Sequence, residues 1–232
     1  MNQNQHKQIL ISILKQIYSN PVTQGTLGFK GGTAALLFYG LPRMSVDLDF
    51  DLLDPTKEDL IFEYLTKALP KFGEMREQYK KRYTLFFLIR YLVGARNVKI
   101  EISRRAAPSQ YELKNYLGIP MLVMTKEDML ANKLVALIDR AKPVARDFFD
   151  TWYFLKEGWQ INLDLVKDRT GLKPDQYFEK AIQIIEDQKP TFFLHGLGEL
   201  LEAPQKDWVR QKLKEEVLFR LRLAQETQSL AK

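Results

Sequence analysis

The sequence GGTAALLFYGLPRMSVDLDF, from Gly31 to Phe50, joins a glycine turn, a short apolar helix and an acidic strand. Successive side chains of a strand point to opposite faces, so Asp47, Asp49 and Asp51 share one face while apolar residues occupy the other. Crowded like charges cost stability, and a divalent cation held by carboxylate oxygens would compensate that cost. The stretch therefore predicts a metal-binding strand, with a solvated acidic edge strand as the alternative.

The glycine turn upstream of this strand favours the metal site. Gly31 and Gly32 allow the backbone to approach a phosphate, and Thr33 is predicted to cap the helix that follows. A helix N-terminus with free N–H groups binds anions. Arg43 and Ser45 precede the strand, where they are placed to contact a phosphate or a metal-bound water. On spacing alone, a loop arginine and a turn serine is the simpler interpretation.

These residues resemble a known family. A Gly-Gly turn followed by Asp-x-Asp resembles the first motif of the DNA polymerase beta-type nucleotidyltransferase superfamily. The form Gly-Gly-Thr-Ala with R-x-S-x-D-L-D-F resembles the abortive-infection toxins of the AbiEii/AbiGii type, and further matches extend over about residues 25–155. The resemblance implies an α+β fold, with a nucleotidyltransferase lobe that carries a small mixed sheet over residues 1–115. A C-terminal α-helical bundle over residues 116–232 would complete the active-site cleft.

The sequence VKIEIS at residues 98–103 carries a candidate third carboxylate. Its alternation directs Glu101 and Lys99 away from the core. In the resembling superfamily a second strand supplies a third acid, as Lys-x-Asp in the toxins and Lys-x-Glu here. Glu101 is thereby expected to bind a second metal ion or to act as a base, and Lys99 is a weaker candidate. An exposed strand acid is the alternative for Glu101.

Two helical segments carry the remaining candidate residues. Lys133 and Arg140 are seven residues apart, two turns along one helix face, and Asp147 and Asp150 share a face at the start of the next helix. The resembling toxins place a lysine and an arginine at such spacing, followed by Arg-Asp-x-x-Asp. The resemblance implies that Lys133 reaches the nucleotide phosphates and that Arg140 supports it. Asp147 would orient either one, and Asp150 is a weaker candidate. Without the resemblance, the alternative is that Lys133 and Arg140 form a solvated basic face. Asp147 and Asp150 would then be acids that favour the start of a helix.

Periodicity also predicts the other elements. The pattern favours a buried strand over residues 83–93, with a turn at 94–97, and a helix whose N-cap is Thr56. The polar segment 104–118 is interpreted as the joint between the lobes. Helices are predicted over residues 5–19, 34–39, 57–69, 161–170, 174–187, 191–202 and 205–228.

The resemblance implies the reaction and its participants. It predicts a Mg2+-dependent enzyme, using two ions, that transfers a nucleoside monophosphate from an NTP to the 3′ end of tRNA and releases pyrophosphate. Such toxins are neutralised by an antitoxin protein. An enzyme that modifies a protein or a small molecule, or an inactive binding module of the same fold, is the alternative.

The composition bounds these expectations. The chain of 232 residues has a formal net charge of +6, which suits an anionic partner such as RNA but does not require one. It contains no cysteine, which excludes disulfides and thiolate metal sites. No apolar run reaches membrane-spanning length and the start MNQNQHKQ is polar, so a cytoplasmic protein is expected.

Overall fold

The computed structural model describes residues 3–106 and 108–230. Contacts between residues divide the chain into two compact units, Met1–Thr125 and Lys126–Lys232. The sequence analysis placed this division at residue 115. The observed division is later because the strand over Ile119–Met124 pairs with Leu27–Lys30 and belongs to the first unit.

Within the described residues the first unit is built on one seven-stranded mixed sheet. Its strands in chain order are β1 (Leu27–Lys30), β2 (Asp47–Leu52), β3 (Glu74–Lys81), β4 (Thr84–Arg90), β5 (Val98–Ser103), β6 (Tyr111–Tyr116) and β7 (Ile119–Met124). In space the order is β3-β4-β5-β2-β1-β7-β6. The pairs β1–β7 and β2–β5 are parallel and the others antiparallel. The acidic strand β2 is therefore central, which excludes the solvated edge strand.

Helices cover one face of this sheet. The helices of the first unit are α1 (Gln3–Tyr18), α2 (Pro21–Gln24), α3 (Gly31–Tyr39) and α4 (Glu58–Ala68), with 3-10 turns at Pro55–Lys57 and Leu69–Phe72. The Tyr18 ring of α1 lies 6.2 Å from that of Phe50, and the Phe62 ring of α4 lies 5.1 Å from that of Phe87. Each large apolar side chain buried in this way contributes about 1.5–3 kcal/mol.

Strand β4 has one buried face. Leu85, Phe87 and Ile89 are fully buried, but Thr84, Phe86 and Leu88 are only partly buried. The predicted buried strand is present, and it is buried on one face because the covering helices pack against that face. The hairpin turn to β5 is present, with Ile89 paired to Val98.

Two further local predictions were wrong. The segment interpreted as a joint contains β6, whose polar residues suit a strand at the edge of the sheet. The 3-10 turn Pro55–Lys57 that precedes α4 is capped by Asp54, whose carboxylate accepts hydrogen bonds from the N–H and hydroxyl of Thr56. Thr56 therefore lies inside the 3-10 turn and is no N-cap.

The second unit is helical. It comprises α5 (Lys126–Asp139), α6 (Ala145–Lys156), α7 (Leu163–Thr170), α8 (Pro174–Glu186) and α9 (Ala203–Leu230). The Tyr177 hydroxyl of α8 donates to the Leu134 carbonyl of α5 at 2.7 Å, which ties these helices together inside an aromatic core. The helix predicted over residues 191–202 is replaced by two 3-10 turns, Pro190–Leu194 and Gly198–Leu200. Gly196, with φ +67, lies between them.

Among the described helices, none is long and apolar enough to cross a membrane.

Candidate active site

The glycine turn brings the acidic strand against the start of α3. The helix begins at Gly31 itself, whose φ is +77, directly after β1. A Cβ atom on Gly31 would lie 2.5 Å from Oδ2 of Asp49, and one on Gly32 would lie 2.9 Å from both Nη2 of Arg43 and Oγ of Ser45. Only glycine permits these approaches, so the turn and the strand form one site.

Thr33 does not cap α3. It lies in the third position of the helix, and its hydroxyl donates to the backbone carbonyl of Asp47. The predicted cap was wrong because the helix starts three residues earlier than the sequence pattern suggested. The observed bond fixes the first residue of β2 to the helix that precedes it.

Arg43 and Ser45 are both buried, at 5% and 6% exposure. Arg43 Nη1 donates to the Met44 carbonyl at 2.9 Å. Their contact with Gly32 places a guanidinium and a hydroxyl next to the first turn of α3. Both residues therefore lie beside the glycine turn, and their role in a site stays a prediction.

The second strand of the site lies next to the first. Asp47 is paired in register with Lys99, and Asp49 with Glu101. Lys99 Nζ lies 3.6 Å from Oδ2 of Asp47 and 2.9 Å from Oε2 of Glu101. Asp47 and Glu101 therefore both contact one ammonium group, on the face of the sheet that also carries Asp49, so Lys99 belongs to the same cluster.

This crowding changes the acidity of the site. Burial and the charge of Asp47 raise the pKa of Asp49 to about 6. The nearby Glu101 acts in the same direction, while Lys99 and Lys30 oppose it. Burial also disfavours the charged form of Lys99, but its hydrogen bond to Glu101 and the charges of the aspartates give a net increase in its pKa.

The donor chemistry fits a hard divalent cation. Asp47 and Asp49 offer adjacent carboxylates, and a cation would relieve the repulsion that raises the pKa of Asp49. Across residues 3–106 and 108–230, no group of three His, Cys, Asp or Glu side chains is arranged to hold a metal ion. Glu101 is engaged by Lys99 instead. Its role as a third ligand requires it to exchange that partner for the ion and stays a prediction.

A second cluster on the same face was not found by sequence reasoning. Lys30 Nζ lies 2.6 Å from Oδ1 of Asp51, and the Tyr111 hydroxyl donates to Oδ2 of Asp51. Gly28 makes this possible, because a Cβ there would overlap the Tyr111 ring. Both carboxylate oxygens of Asp51 thereby have a partner, Lys30 for one and Tyr111 for the other. Of this cluster, the sequence alone could have indicated only that Lys30, which precedes the glycine turn, lies near the site.

His6 anchors the start of β2. It is fully buried, and its Nε2 lies 3.1 Å from the Val46 carbonyl. Since a carbonyl only accepts, Nε2 carries the hydrogen, and Nδ1 accepts from the Tyr91 hydroxyl at 3.1 Å. Burial lowers the pKa of His6. Its contacts are structural ones.

The predicted residues of the second unit form a compact charged network. Lys133 Nζ lies 2.8 Å from both Oδ1 of Asp147 and Oδ2 of Asp150. Arg140 Nε lies 2.8 Å from Oδ2 of Asp147. Asp147 thus contacts both cations to which the sequence analysis assigned it. Asp150 is fully buried and lies as close to Lys133 as Asp147 does.

Fold and site together define a class of protein. A glycine turn opens a helix and packs against an Asp-x-Asp strand in a mixed sheet, and solved structures share this overall fold. The chain aligns with a candidate nucleotidyltransferase of H. pylori at 23% identity and a TM-score of 0.60, covering 98% of this chain and 96% of that one. It also aligns with MenT4, a nucleotidyltransferase toxin of Mycobacterium tuberculosis, at 16% identity and a TM-score of 0.52, covering 96% and 94%.

The sequence comparison identifies the family. The profile described as nucleotidyl transferase AbiEii toxin, type IV toxin–antitoxin system, matches residues 12–221. This chain belongs to that family, and it is a nucleotidyltransferase enzyme of the toxin type. Membership implies a cognate antitoxin as partner. A search of curated proteins found no match.

Proposed function

We propose that this nucleotidyltransferase transfers a nucleoside monophosphate from an NTP to the 3′ end of tRNA in a Mg2+-dependent reaction. The observation that supports it best is the packing of the Asp47–Asp49 strand against the glycine turn, with Glu101 on the adjacent strand. Carboxylates for a cation and backbone N–H groups for phosphate oxygens then lie on one surface. A tRNA acceptor implies action in the cytoplasm.

Each residue of the first unit has a role in this proposal. Asp47 and Asp49 would hold the metal, and Gly31 and Gly32 would present backbone N–H groups to the β- and γ-phosphates. Bound Mg2+, as one ion or a pair, neutralises the triphosphate and orients its α-phosphate. Arg43, Ser45 and Thr33 shape the same turn.

The transfer itself is an in-line displacement. The acceptor hydroxyl oxygen forms a bond to the α-phosphorus, and the bond from that phosphorus to the β-phosphate oxygen breaks. Pyrophosphate leaves with the electron pair of that bond. Glu101, on the strand beside Asp49, takes the hydroxyl proton as base or is the third metal ligand.

The charged network of the second unit is proposed to assist the nucleotide. A triphosphate needs cations beyond the metal, and Lys133 is the residue proposed to supply one. Lysine has a flexible stem, so it is positioned well only when it is held. Asp147 and Asp150 hold Lys133 at 2.8 Å each, and Arg140 completes the network. This rigid arrangement supports a role in binding rather than a solvated basic face.

Incubation with total tRNA and each radiolabelled NTP in turn tests the proposal. We expect label on tRNA with wild-type protein and Mg2+, and none with EDTA or with Asp49→Ala. Asp207→Ala, which removes an exposed carboxylate of α9, is the matched control and should keep full activity. Label on a protein or a small molecule instead of tRNA would overturn the acceptor assignment. Full activity of Asp49→Ala would overturn the metal site.

A further inference from the structure

A row of paired residues crosses the sheet through the proposed metal site. Lys30 is paired with Asp49, Asp49 with Glu101, Glu101 with Phe86, and Phe86 with Tyr79. Directly paired residues point to the same face of a sheet, and adjacent strands are about 4.8 Å apart. Two aromatic side chains therefore follow the acids on the same face, one and two strands beyond Glu101.

These aromatic side chains form a flat platform. The Phe86 and Tyr79 rings are stacked, with centroids 4.6 Å apart and planes 4° from parallel. Both are only partly buried, whereas Leu85 and Phe87 on the other face are fully buried. Lys81 lies over the Tyr79 ring at 4.4 Å. Aromatic surface combined with positive charge binds the bases of single-stranded nucleic acid by stacking.

The order of groups along the row indicates which base this platform takes. In an in-line displacement the attacking and leaving oxygens lie on opposite sides of the α-phosphorus. The glycine turn follows Lys30 at one end of the row, so the leaving pyrophosphate belongs there. The attacking hydroxyl then belongs on the side of Glu101 and the aromatic rings.

We propose that Phe86 and Tyr79 stack on the terminal base of the acceptor strand and position its 3′ hydroxyl beside Glu101. This inference rests on the proposed function and adds the acceptor-binding surface to it. Phe86 and Tyr79 are positioning residues, because they contact the acceptor base and not the reacting atoms.

The rim of the platform carries charge that suits a nucleic-acid strand. The turn after β3 holds Tyr83, which is 44% exposed, and the guanidinium carbons of Arg82 and Arg105 lie 5.0 and 4.8 Å from its ring centroid. In the part of the chain that the structure describes, neither arginine forms a salt bridge with an acid. The neighbouring Arg104, in contrast, is ion-paired with Glu58. Two cations left without acidic partners favour a phosphate backbone over a neutral acceptor.

A fluorescent base tests the platform directly. Three probes are used: a short single-stranded RNA with 2-aminopurine at its 3′-terminal position, the same RNA with 2-aminopurine at its 5′ end, and 2-aminopurine riboside triphosphate. Each is titrated with full-length wild type, Phe86→Leu, Phe86→Tyr and Tyr79→Leu. Phe62→Leu is the matched control, since it removes an aromatic ring that packs on the covered face. Circular dichroism melts show that each variant is folded.

Stacking predicts a specific pattern. Wild type should quench the 3′-terminal probe, Phe86→Leu and Tyr79→Leu should lose that quenching, and Phe86→Tyr should restore it. The KM for the RNA acceptor should rise about tenfold in Phe86→Leu, while NTP affinity stays unchanged. Phe62→Leu should behave as wild type.

Three outcomes would overturn the inference. Quenching of the triphosphate probe that depends on Phe86 would assign the platform to the incoming nucleotide. If wild type is active and both leucine variants bind RNA as wild type does, the stacked rings serve only in packing. The proposed function would then be unaffected. Wild type that modifies a protein and no RNA would overturn the platform and the acceptor assignment together.

Discussion

Asp49 differs from a surface acid because burial and the neighbouring carboxylates destabilise its charged form. Its pKa of about 6 exceeds the ordinary value of 3.8, so between these values the folded chain binds more protons than the unfolded one. Stability therefore falls as pH rises through this window and stays lower above it. The site holds unfavourable charge in the metal-free protein, which a bound cation would relieve.

Asp49→Asn should remove this cost. With EDTA present, we expect the variant to be more stable than wild type at pH 8 by on the order of 1–2 kcal/mol, less than the full shift because Asp49 is partly exposed. The gain should vanish below about pH 4, where the wild-type carboxyl is protonated. Urea unfolding across this pH range measures it. Equal stability at pH 8 would show that Asp49 has an ordinary pKa.

Glu101 offers a second test at the level of one side chain. If it binds the metal or takes the proton, Glu101→Gln should lose most of the transfer activity, and Glu101→Asp should retain a measurable part. Single-turnover rates with saturating NTP give the comparison. Glu112→Gln, an exposed acid of the edge strand β6, is the control. If Glu101→Gln transfers at the wild-type rate, Glu101 neither binds the metal nor takes the proton, and its role is the salt bridge to Lys99.

At the scale of elements, the junction of β1 and α3 depends on the absence of a side chain at Gly31. Gly31→Ala should cost about 1–2 kcal/mol for the left-handed backbone, and the clash with Asp49 adds to it. Transfer activity should fall strongly. Gly94→Ala separates the two effects, because Gly94 has φ +79 and open space around it. Thermal melts of Gly94→Ala should show the stability loss caused by the left-handed backbone. Its transfer rate should equal that of wild type.

The α5–α6 pair contains a buried charge that needs its partner. Lys133→Met leaves Asp150 charged and fully buried, and we expect a loss of about 3 kcal/mol. Adding Asp150→Asn removes the stranded charge and should restore most of that stability. Chemical denaturation of the single and double variants measures the coupling. Independent, additive effects would mean that the two side chains do not interact in solution.

At the scale of the whole molecule, the question is whether the second unit takes part in the chemistry. The double variant Lys133→Met/Asp150→Asn allows a clean test, because its fold is not burdened by an unpaired charge. We expect NTP affinity to fall at least about tenfold, as loss of a cation at a triphosphate predicts. Isothermal titration with each NTP measures it, and Lys212→Ala on α9 is the control. Unchanged affinity and turnover would show that the helical unit does not bind the nucleotide.

Many features of this protein could be predicted from short stretches of its sequence. The alternation around Asp47, the paired glycines and the helical periodicity are properties of a few consecutive residues, and backbone geometry translates them directly into faces and turns. The family resemblance rests on these residues, and that resemblance implied the α+β class and the mixed sheet. The resemblance also implied that Gly32, Arg43 and Ser45 lie in one site, whereas spacing alone favoured a loop arginine and a turn serine.

Other features depended on which distant segments pair. The Lys30–Asp51–Tyr111 cluster joins three strands, and the row from Asp49 to Tyr79 exists only because β2, β5, β4 and β3 are neighbours in one register. Strand β6 was missed because an edge strand is polar like a loop. Pairing between strands is decided by the packing of the whole sheet, and a single sequence contains no local signal for it. The periodic pattern placed the acids on a face, and the tertiary fold decided what lies beside them.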